Sequence, residues 1–90
     1  MSFHIILNMF GTDEARNRFL NLCREYYGER VRQEAAEQSQ IPVTNSRRAE
    51  LHNEIMKIIQ KLYTRTESIP PTRKEVGNII VEYFREEGDR

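Results

Sequence analysis

Residues 46–65, SRRAELHNEIMKIIQKLYTR, decide the reading of this chain. Leu51, Ile55, Ile58, Ile59 and Leu62 recur there at helical spacing, and Met56 and Tyr63 widen the stripe they make. The opposite side carries Arg47, Glu50, Glu54, Lys57, Lys61 and Arg65. A segment that is apolar on one side and charged on the other needs a packing partner, so a helix from near Ser46 to about Thr66 implies a helical core around it.

Toward the C-terminus, Ser68-Ile69-Pro70-Pro71 breaks that helix, because proline lacks the amide and clashes with the preceding turn. Thr72-Arg73-Lys74-Glu75 has the form of a capping box, in which the threonine oxygen accepts from the amide three residues on and the glutamate reaches back. A further helix to about Glu87 follows, with Val76, Ile79, Ile80, Tyr83 and Phe84 on its inner side and Gly88 as its stop. Toward the N-terminus, Pro42 makes residues 41–45 a linker. Before it, Thr12 followed by Asp13 and Glu14 opens a helix that runs to about Gln38, with Gly28 its weak point. Its apolar residues, Ala15, Phe19, Leu20, Leu22, Cys23, Tyr26, Tyr27 and Val31, cover roughly half the circumference, too wide for one neighbouring helix. Beyond Val31 the core face is lost, and that end is expected to project into solvent or meet a partner. Residues 3–10, FHIILNMF, form an apolar run whose periodicity suits either a short helix, with Phe3, Ile6, Leu7 and Phe10 on one side, or a strand.

The expected fold is therefore all-α: residues 1–90 form one domain, a small bundle of three main helices with the N-terminal apolar segment packed on it as a short helix or strand. Hydrophobic residues make up 38% of the chain and charged ones 31%, which places it among globular rather than disordered sequences. The formal net charge is zero, so bulk charge does not hold it to nucleic acid or anionic lipid. The charge is nevertheless uneven: residues 41–66 hold five bases against two acids, and residues 67–90 six acids against four bases. Cys23 is the single cysteine, which excludes an intrachain disulfide and suits a reducing, cytoplasmic compartment. The apolar start is far too short to span a bilayer and lacks the features of a secretory signal, so no membrane association is expected.

Nothing in the chain has the pattern of catalysis. His4 lies in an apolar run and His52 beside a core position, without the two-histidine spacing of a helical zinc site. Cys23 sits among Phe19, Leu22 and Tyr26, as a small buried hydrophobe would. Gly11, Gly28, Gly77 and Gly88 are isolated and make no phosphate-cradling loop. No catalytic residue, cofactor, metal or small-molecule substrate is expected.

Residues 54–60, EIMKIIQ, followed by 68–78, SIPPTRKEVGN, resemble the first half of the DNA-binding domain of the LexA repressor family: an amphipathic helix, a Pro-Pro-Thr-Arg turn and a second helix with a small residue at Gly77. The likeness covers residues 54–78 and implies a DNA-binding regulator. It departs from the family where a recognition helix should follow, since Ile79, Ile80, Val81, Tyr83 and Phe84 continue the same helix into an acidic end that phosphates would repel. Any nucleic acid would have to meet another surface: Lys57, Lys61 and Arg65 at four-residue spacing, with Arg73 and Lys74 in the first turn of the next helix, whose amides favour an anion. The bland reading of the same strip is a solvated face with pairs such as Glu54 to Lys57. The expected function is a small non-enzymatic interaction or regulatory factor, acting as a homodimer or on a protein partner through Phe3, Phe10, Tyr27 and Val31, with nucleic-acid binding by the basic strip as the alternative.

Overall fold

The computed structural model describes residues 2–42 and 45–88. They form four helices, α1 (Phe3–Leu7), α2 (Asp13–Gln38), α3 (Ser46–Arg65) and α4 (Arg73–Gly88), with no strand among the described residues. The domain is all-α, three of its helices are long, and the N-terminal run is helical rather than extended.

The helix starts follow the residues that open them. Thr12 accepts the amide of Ala15 through its hydroxyl at 3.1 Å and caps α2. Thr72 accepts the amide of Glu75 at 3.2 Å at the start of α4. The reciprocal half of that capping box takes another form: the Thr72 hydroxyl donates to the Glu75 carboxylate at 3.2 Å. α1 is only five residues long, so local hydrogen bonding cannot sustain it. Its anchors are Phe3 and Ile6, both buried, with the Phe3 ring between Phe19 of α2 and Tyr83 and Phe84 of α4. The i, i+3 spacing of the two anchors is the reason this run settles as a helix.

α2 and α3 lie antiparallel. Arg48 of α3 bonds Gln33 of α2, Tyr26 packs edge-on against His52, and Ile58 and Leu62 reach the level of Ala15 and Arg18. The core between the helices holds Phe19, Cys23 and Tyr26 from α2, Leu51, Ile55, Ile59 and Leu62 from α3, and Val76 and Ile80 from α4. Gly77 lets α4 approach the other two, since a Cβ there would lie 2.9 Å from the Tyr26 hydroxyl and 3.5 Å from His52 Cε1.

Two expectations need correction. Phe3 is 4% exposed and covered within its own chain, so it is a core anchor rather than interface surface. The end of α2 beyond Val31 is not wholly solvated, because the start of α3 folds back on it: Arg48 holds Gln33, and Gln33 and Ala36 are half-buried. The wide apolar face of α2 is shared between α3 and α4, and Val31 is left 46% exposed.

Candidate functional site

The N-terminal half of α3 is laced to its neighbours by polar contacts. Arg47 pairs with Glu25 at 2.7 Å, and Arg48 with Gln33. His52 is buried, and its Nε2 lies 3.0 Å from the Arg73 carbonyl. A carbonyl only accepts, so Nε2 carries a proton and His52 donates through it, clamping the start of α4. Desolvation, joined by the positive charge of Arg73, lowers the His52 pKa; the Arg73 carbonyl partly offsets them by favouring the protonated ring. Arg73 also donates to Asn53 Oδ1 at 2.7 Å.

The strip expected to be basic continues along α3 from that point. Asn53, Lys57, Lys61 and Arg65 follow one another at four-residue steps, so Arg73 joins the strip at its head through Asn53. Lys57, Lys61 and Arg65 line one open depression of about 570 Å³, together with Gln60 and Thr64. Lys74 is exposed on α4 and does not line it. The structure thus brings three of the five expected cations together, links a fourth through a side chain, and leaves the fifth apart. The first turn of α4 offers less to an anion than its amides alone would, because the Glu75 carboxylate already stands beside Thr72.

A second concavity borders the same cations. Phe10, Ala15, Ile58 and Leu62 form the apolar floor of a groove of about 230 Å³, and Arg18, Lys61 and Arg65 rim it. Lys61 and Arg65 therefore stand as a ridge between the open depression and the groove. Arg18 is paired with Glu14 at 2.7 Å, and Lys57 with Glu54 at 3.6 Å. Lys61 and Arg65 have no ion-pair or hydrogen-bond partner among the described residues. Sequence reasoning did not bring Ala15 and Arg18 to this site, because they meet the end of α3 only through the antiparallel packing; the signal present was the exposed width of the α2 apolar face.

The remaining expected interface residues separate. Phe10 is half-buried in the floor of the groove, its ring tilted against Phe19 with centroids 5.1 Å apart. Tyr27 is half-buried on the far side of α2, against Phe84. There Leu20, Tyr27, Tyr83 and Phe84 line a distinct concavity with Arg24 and Glu87 at its edge. Cys23 is fully buried, and burial pushes its thiol pKa up, so it packs as a hydrophobe. Among the described residues no group of three or more histidine, cysteine, aspartate or glutamate side chains is placed to hold a metal ion, and no helix is long and apolar enough to cross a membrane. No family model, curated protein or solved structure matches this chain.

Proposed function

We propose that this chain is a small non-enzymatic interaction or regulatory factor that docks a protein on the Lys61–Arg65 ridge and the apolar groove beside it. The observation that carries the reading is the pairing of opposites at one place: two cations with no partner among the described residues stand over a floor of Phe10, Ile58 and Leu62. A solvated ion-pair face has no need of that floor, whereas interfaces combine an apolar centre with a charged rim. The single cysteine and its reduced, buried state suit a cytoplasmic setting.

Nucleic-acid binding is the second reading. It is favoured by the shared depression of Lys57, Lys61 and Arg65, by the link to Arg73, and by the likeness of residues 54–78 to the LexA family. The apolar floor has no role in a phosphate clamp, and α4 runs unbroken from Arg73 to Gly88 where the family places a short helix and a turn. Sedimentation of the chain alone and with a DNA duplex over a range of salt separates the two. The protein-docking reading expects no duplex binding near physiological salt, and a mass above the monomer would identify the partner as a second copy. Duplex binding that falls steeply with salt and is lost in Lys61→Glu/Arg65→Glu would overturn it in favour of the second reading.

A further inference from the structure

We infer that the groove between Ala15 and Leu62 takes an acidic amphipathic peptide segment, its apolar side chain seated on Phe10 and Ile58 and its carboxylates on Lys61 and Arg65. The inference rests on the docking reading above and names the chemistry of the partner.

Size comes first. A groove of about 230 Å³ lies below the usual range of roughly 300–1,000 Å³ for small-molecule sites, and it is open to solvent. Such a space takes side chains from a larger partner that continues beyond it. Charge comes second. Every ionisable side chain lining the groove is a cation, Arg18, Lys61 or Arg65. Of the three, Arg18 is already paired, with Glu14 at 2.7 Å. A basic or neutral partner would bury Lys61 and Arg65 at its edge without compensation, whereas a carboxylate supplies a charge-assisted bond to each. Geometry comes third. The two cations lie four residues apart on one helix side, about 6 Å along the axis. Acids separated by one helical turn, or by two positions of an extended strand, match that interval.

The probe is a short synthetic peptide in which glutamates are interspersed with leucines and phenylalanines, titrated into the isotopically labelled full chain. Three comparison ligands accompany it: the same peptide with lysine for glutamate, a polyglutamate peptide without apolar residues, and a DNA duplex. The expected result is saturable binding of the acidic apolar peptide alone, with amide shifts centred on Phe10, Ala15, Ile58 and Leu62. Affinity should drop roughly tenfold or more in Lys61→Glu/Arg65→Glu. Ala15→Glu provides a variant that spares the fold, because glutamate suits the third position of a capped helix. Its carboxylate should occupy the cations and weaken the peptide by a similar factor.

Equal binding of the lysine peptide at the same residues would overturn the acidic assignment while leaving the docking reading intact. Equal binding of polyglutamate would remove the apolar anchor and overturn the inference as well. Duplex binding with shifts on Lys57, Lys61 and Arg65, and no peptide binding, would overturn both readings, whereas an absence of binding by every probe would overturn the inference and leave the docking reading to the sedimentation test.

Discussion

The two halves of α3 carry similar numbers of cations and differ in what meets them. In the first half, Arg47 and Arg48 reach Glu25 and Gln33 across the antiparallel α2, and His52 and Asn53 hold Arg73 at the start of α4. In the second half, Lys61 and Arg65 stand over Phe10, Ile58 and Leu62 with no partner among the described residues. The first half uses its polar groups to fix the helix junction; the second leaves them over uncovered apolar surface. One helix is thus a joint at one end and, in the function proposed above, a docking face at the other. The difference lies in the neighbours that meet Arg47, Arg48 and His52 and in the acids of α3, Glu50 and Glu54, which both stand in its first half.

The largest effect that probes this contrast lies beneath the second half. Leu62 is 2% exposed, so Leu62→Ala should lose about 2–4 kcal/mol in urea melts. Its neighbour Lys61, exposed on the ridge, should change stability by less than about 0.5 kcal/mol on truncation to alanine. Equal losses would mean that the ridge is part of the core.

At the joint, Gly77→Ala brings a Cβ to 2.9 Å from the Tyr26 hydroxyl. Crowding of a packed core costs about 1–3 kcal/mol, against a helix-propensity gain of about 1, so a net loss of about 1 kcal/mol is expected. Tyr26→Phe removes the hydroxyl and should restore part of that loss in the double variant; independent, additive losses would place the crowding elsewhere.

The same joint predicts a dependence on pH. The His52 pKa is lower folded than its ordinary 6.5, so between those two values the unfolded chain binds a proton that the folded chain does not. Stability should therefore be full above pH 6.5 and decline as pH falls through the window below it. His52→Gln should flatten this part of the profile; an unchanged slope would assign it to other groups.

The smallest effect concerns the end of α3. Glu67 has φ 55°, and the amides of Glu67 and Ser68 bond back to the carbonyls of Thr64 and Tyr63, a left-handed helix cap built without glycine. Glu67→Gly relieves the steric strain, and after the greater freedom of glycine in the unfolded chain a gain of about 0.5 kcal/mol is expected in thermal melts. A loss would show that the Glu67 side chain contributes more than the strain costs.

The sequence alone determined the three long helices, because each is written locally: Thr12 and Thr72 cap two of them, prolines separate the segments, and the apolar stripe of α3 repeats with the helical period. It also placed Lys57, Lys61 and Arg65 on one line, since that follows from spacing along a single helix. Tertiary structure decided what local spacing does not encode. It settled residues 3–7 as a helix, because Phe3 and Ile6 find a place between α2 and α4 that a period of two would not fill. It took Phe3 out of the expected interface for the same reason. It joined Phe10 and Arg18 to Lys61 and Arg65, residues more than forty positions apart in the chain. It also gave Arg47 and Arg48 their partners Glu25 and Gln33, because a pair between helices depends on what the antiparallel neighbour places opposite, whereas Lys57–Glu54 follows from spacing within α3.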